Sequence, residues 1–157
     1  MQGRIGDRYV VAFDCLSGEV GELPDISVLA IHDKHVPEKL LIRPEGAADK
    51  AVAATSPFGT ADINFESHEF SSVFHVESSS RKFAYDVITP RIMEYLLANP
   101  GWSIELAGAD AMIYDNQLWK PERIREALNI LSDFLNRIPD HVWKELGAER
   151  AAEPAGR

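Results

Sequence analysis

Apolar residues near the end of the chain recur at three- and four-residue steps. Ile124, Ala127, Leu128, Leu131, Phe134, Leu135 and Ile138 follow this spacing, and every residue between them except Ile130 is polar. That period puts one apolar stripe on a helix and a solvated face opposite it. Pro121 suits a first helical position, where its missing N–H costs nothing, and Pro139 closes the element. Fully burying each large member contributes roughly 1.5–3 kcal/mol, so this long amphipathic helix is expected to pack on the sheet and anchor the core. His141 to Leu146 add a final turn. The tail 147–157, rich in Ala, Pro and charge, reads as disordered.

The first half alternates instead. Residues 8–15 (RYVVAFDC), 26–32 (ISVLAIH) and 39–44 (KLLIRP) are apolar and β-branched, separated by turn chemistry, and predict an antiparallel meander of three strands. Residues 46–61 are Ala-rich with small polar residues and read either as a short helix followed by a loop or as a mobile stretch. Phe65, Phe70, Val73 and Phe74 fit a short helix, and FHVES (74–78) alternates as a strand. Following Pro100–Gly101, WSIELAGADAMIYDN predicts a hairpin turning at Gly108 to Asp110, with Ile104 and Leu106 sharing one face.

Between these lies KFAYDVITPRIMEYLLANPGW, with Pro90 inside an otherwise helical run. A proline in a helix interior costs about 3 kcal/mol or more. Thr89, however, is a good N-cap and Pro90 a good first helical residue, so the pattern predicts two helices, 81–88 and 90–98, that meet at Thr89. Leu96 and Leu97 are expected to be buried. The order of elements implies an α+β fold, an antiparallel sheet covered by helices, in a single domain over residues 1–146.

The chain has 157 residues, long enough for one core without staples. It is 45% hydrophobic and 26% charged, with a net charge of −9 from 25 acidic and 16 basic residues. No Lys/Arg face accompanies that balance, which argues against a nucleic-acid partner. A single cysteine, Cys15, excludes a disulfide framework and is expected to be a buried structural thiol. No apolar run approaches a membrane span and no signal-peptide core is seen, so the chain is expected to be soluble, without inserting into a membrane itself.

Candidate chemistry is sparse. His32, Asp33 and His35 in IHDKH are the residues best spaced to hold a divalent metal, but the spacing lacks the register that puts two imidazoles on one helical face. A polar turn between two strands explains IHDKH as well. His68 and His75 flank the short helix and read as surface residues, and His141 stands alone. The serine run Ser78–Ser80 fits capping of the helix that begins at Arg81. Trp102, Tyr114, Trp119 and Trp143 either line a groove or sit at the edge of the core with their polar atoms satisfied. No nucleophile elbow, phosphate loop or dinucleotide fingerprint is present. No catalytic residue, metal ligand or cofactor is therefore assigned.

The stretch FESHEFSSVFHVESSSRKFAYDVITPRIMEYLL, with GRIGDRYVVAFD near the start and IPDHVW later, resembles a group of uncharacterised actinobacterial proteins related to the DUF3137 family of bacterial proteins. The resemblance spans residues 3–146. It implies a domain that in other members often follows hydrophobic, membrane-spanning segments, and it carries no established activity or catalytic residues. The expected function is thus a non-catalytic binding or interaction module, the soluble part of a membrane-tethered parent, cytoplasmic or facing the cytoplasm, with a protein or small ligand as partner. The alternatives are a self-associating structural protein and a small metal-dependent enzyme using His32, Asp33 and His35.

Overall fold

The computed structural model describes residues 1–16, 25–46 and 61–152, with the side chains at 33–37, 61 and 148–152 outside that description. Strands β1 (Gln2–Ile5), β2 (Arg8–Cys15), β3 (Ile26–Pro44), β4 (Ala61–Asp62), β5 (Phe74–Ser78) and β6 (Ser103–Tyr114) form one antiparallel sheet. Helices α1 (His68–Val73), α2 (Arg81–Val87), α3 (Pro90–Ala98), α4 (Pro121–Arg137) and α5 (Asp140–Ala152) complete the α+β fold, with α4 and α5 packed on the sheet.

The two longest strands organise it. β3 pairs with β6 from Val28–Tyr114 to Ile42–Ile104. Along its other edge β3 pairs first with β2, over Ile26 to His32, and then with β5, over Leu40 to Pro44. The change of partner coincides with an irregularity. β3 takes eight steps between His32 and Leu40 while β6 takes four between Asp110 and Leu106. The extra residues of β3 fall on either side of the Val36–Gly108 pair, and the φ of Gly108, +62°, lies in the left-handed region that glycine tolerates.

This arrangement corrects three expectations. Residues 26–32 and 39–44 are not two strands of a meander but one strand, so IHDKH is a bulged interior rather than a connecting turn. Residues 103–114 do not fold back as a hairpin; Gly108 serves a bulge instead of a reverse turn, and the whole segment runs along β3. Gln2–Ile5 is a further strand, joined to β2 by Gly6–Asp7, with Gly6 at φ +61° as a tight hairpin with glycine in its first loop position requires.

The helical expectations hold more closely. Pro90 opens α3, where Thr89 Oγ1 accepts a hydrogen bond from the Ile92 N–H, and Ser80 Oγ accepts from the Phe83 N–H at the start of α2. Leu96 is buried, whereas Leu97 is only half-buried. Pro121 opens α4, which buries Ala127, Ile130, Leu131, Phe134 and Leu135 against the sheet's inner face. That face carries Val10, Ala12, Leu29, Ile31, Leu40, Ile42, Ile104 and Leu106. α5 continues to Ala152, beyond the expected end at Leu146, and 153–157 lie outside the described residues. Residues 47–60, expected as a short helix and loop or as a mobile stretch, also lie outside them.

A Cβ at Gly108 would meet open space, so any loss there comes from the backbone conformation alone. Gly108→Ala should lower stability by about 1–2 kcal/mol, the cost of a left-handed L-residue. Urea denaturation of the two proteins measures it, and an unchanged midpoint contradicts a bulge at this position.

Candidate functional site

The break between α2 and α3 shapes a substantial concavity among the described residues. Because the chain turns at Ile88–Thr89–Pro90, α3 leaves a groove of about 670 Å³ between itself, α2 and the start of α1. That volume is within the range of ligand and peptide sites. Phe65, Ile88, Met93 and Leu97 supply its apolar floor. The rim is acidic: Glu66, Glu69 and Glu94 line it, all exposed, and among the described residues no lysine or arginine does.

The floor is held rigidly. Phe65 meets Phe70 and Tyr85 edge-on, with ring centroids 5.5 and 5.1 Å apart, and Phe70 stacks on Phe74 at 5.2 Å. Such aromatic pairs contribute about 0.5–1.5 kcal/mol each beyond the area they bury. The Tyr85 hydroxyl donates to the Asn64 carbonyl at 2.8 Å, fixing a ring that stays 44% exposed beside the groove. Sequence reading assigned Phe65 and Phe70 to a short helix and Pro90 to a helix start, yet it did not find the groove. The only local signal was the Thr-Pro break itself, which says that two helices meet and not what lies between them.

The sequence-singled histidines are not brought together. His32 is exposed and its Nδ1 lies 3.0 Å from Asp110 Oδ1. The side chains of Asp33 and His35 fall outside the described residues. Among the described residues no group of three or more His, Cys, Asp or Glu is arranged to hold a metal ion. His68 and His141 are exposed. Cys15 is exposed at the end of β2 rather than buried, because the apolar alternation of that strand stops at Ala12.

The serines act structurally. Ser80 caps α2, Ser78 donates from its buried hydroxyl to the Lys39 carbonyl at 2.7 Å, and Ser79 Oγ accepts from the Lys39 N–H at 2.8 Å. The tryptophans sit at the core edge. Trp102 is buried, meets Trp119 edge-on at 5.6 Å, and is covered by the Arg123 guanidinium 3.8 Å from its ring centroid. The centre of this cluster is Asp115, 7% exposed. It accepts from Trp119 Nε1 at 2.6 Å, Arg123 Nη2 at 2.6 Å and Gln117 Nε2 at 2.8 Å. The network clamps the β6–α4 connection to the domain.

The outer face of the sheet carries a second polar group. Glu77 on β5 and Glu105 on β6 both lie opposite Leu41 of β3, and Arg43 lies opposite His75. Arg43 Nη2 is 3.3 Å from Glu77 Oε1, and His75 Nε2 is 3.1 Å from the same oxygen. Burial holds the Glu105 carboxyl above the usual range, with Lys39 opposing. Burial also raises Tyr114; the Glu105 charge adds to this, Arg43 opposes it and Glu77 adds to it.

Two outcomes follow from these clusters. Asp115→Ala should cost about 3 kcal/mol, because it leaves a partly buried guanidinium and an indole N–H without their shared acceptor, and the shift in urea midpoint reads it directly. Glu105 binds its proton more tightly in the folded chain than in the unfolded one. Its protonated form therefore favours folding at low pH, and that contribution is lost as pH rises from about 4.5 through the folded value. Relative to Glu105→Gln, the unsubstituted protein should lose thermal stability over that interval; a gain would contradict the burial of Glu105.

No family model matches the chain, and no curated protein matches it. Among solved structures it is similar to the mycobacterial trehalose monomycolate transport factor A, TtfA, with a TM-score of 0.65. Identity is 14% over an alignment covering 88% of this chain and 71% of that one. At that identity the likeness shows a shared fold and nothing more.

Proposed function

We propose that this chain is a non-catalytic interaction module that docks a cationic amphipathic helix of a partner protein in the groove between α1, α2 and α3. The observation that carries the reading is the groove itself, an apolar floor inside a rim whose charged residues, among those described, are all acidic. Helix-in-groove recognition places apolar anchors on such a floor, and lysines or arginines beside them meet the rim glutamates. The net charge of −9 favours the same partner by steering. Arg43, His75 and Glu77 contact one another on the sheet, which suits a structural network better than a reacting centre.

The module works as the soluble part of a membrane-tethered protein, on its cytoplasmic side. The resemblance to DUF3137-related proteins supports this reading, and so does the likeness in fold to a protein described as a transport factor. Among the described residues no helix is long and apolar enough to cross a membrane.

Fluorescence anisotropy with labelled model helices of leucine and lysine, and of leucine and glutamate, tests the reading. The lysine helix should bind and the glutamate helix should not, with affinity falling as salt screens the rim. Met93→Lys and Glu94→Lys should each weaken binding roughly ten-fold, about 1.4 kcal/mol, with unchanged folding by circular dichroism. Equal binding of both helices, or indifference to both substitutions, rules the groove out.

A further inference from the structure

β6 has two edges, and β3 fills one of them from end to end. Among the described residues no strand pairs with the other, so β6 is the outermost described strand on that side of the sheet. Proteins ordinarily blunt such an edge with lysine, proline or an inward charge. SIELAGADAMIY contains neither lysine, arginine nor proline, and its middle is Ala107–Gly108–Ala109, small enough for another backbone to come close. The bulge at Gly108 divides the edge into two registers, and the half before it carries Glu105.

Glu105 is the second observation. Its carboxylate is half-buried on the outer face, where the Lys39 charge acts on it but no hydrogen bond to it is found among the described residues. The cost of holding it there, already visible in its raised pKa, falls when a cation arrives beside it.

We propose that the Ser103–Ala107 half of β6 takes up an extended segment of a partner protein as an added strand, with a lysine or arginine of that segment paired to Glu105. Backbone hydrogen bonds supply the affinity in such strand addition, and alternate side chains supply the selectivity. A second copy of this chain fits the edge poorly. β6 bears Glu105 and Asp110 and no cation, so two copies of it bring carboxylates against carboxylates. The proposal stands apart from the helical groove, since a different element and a different partner conformation carry it.

The test uses the full chain and three synthetic peptides of alternating valine and threonine: one with a central lysine, one with glutamate there, and one with proline at every second residue. The lysine peptide should bind and slow the hydrogen exchange of alternate amides within 103–107, read by NMR. Glu105→Gln should weaken that binding roughly ten-fold, whereas Met93→Lys, which alters the groove, should leave it unchanged. The glutamate and proline peptides should not bind. Failure of the lysine peptide to bind, equal binding of the proline peptide, or protection confined to α1–α3 overturns the proposal. The last outcome would leave the groove reading standing.

Discussion

The pairing of β3 with β6 is the constraint from which the rest of this structure follows. It joins residues that are far apart in the chain over the full length of both strands, and it leaves β3 one free edge for β2 and β5 to share. Neither strand could run straight through a regular ladder, because β3 has more residues to accommodate than β6 across the middle. The excess is absorbed on either side of the Val36–Gly108 pair, and that is also where β3 exchanges one edge partner for the other. A long-range antiparallel ladder of this kind forms only after a large loop has closed, so it depends on the helical layer to bury its inner face.

The helical layer answers that need with α4, whose apolar stripe lies on the sheet, and with α2 and α3, which cover the β5 end. The Thr89–Pro90 break sets the packing and, with it, the groove. A continuous helix there would fill the space that the groove now occupies; two short ones leave Ile88 buried and Met93 and Leu97 half-open beside Phe65. The polar clusters divide in the same way. Asp115 has its acceptor sites taken by Trp119, Arg123 and Gln117 and therefore fastens a connection. Glu105 is only half-buried and has the Lys39 charge rather than a set of hydrogen-bond donors acting on it, which gives it a different character.

Local chemistry made much of this legible in advance. Ser80, Thr89, Pro90 and Pro121 mark helix starts through hydrogen bonds and dihedral limits that act within one turn, and they act as the residues suggest. The stripe from Ile124 to Ile138 reports its own burial. Phe74 and Val76 alternate against His75 and Glu77 as a strand should. Where reading failed, the same residues had two local solutions. Ala-Gly-Ala-Asp at 107–110 suits a reverse turn as well as a bulge, since both use glycine at positive φ. His-Asp-Lys-His suits a polar turn as well as the irregular interior of a strand. Cys15 was expected to be buried from its place in an apolar pattern, but its exposure depends on which neighbours reach the end of β2.

The sequence by itself thus determined the α+β class, the helices and their caps, the core-facing side of α4, and the net acidity. Those properties arise from interactions spanning a few residues or from simple sums over the chain. Only the tertiary structure decided that residues 26–44 and 103–114 are single strands, that Glu105 and Glu77 flank Leu41, and that Phe65, Ile88 and Met93 meet beneath a ring of glutamates. Each of these is a juxtaposition of distant segments fixed by sheet register and helix packing, and no periodicity within any one segment encodes it.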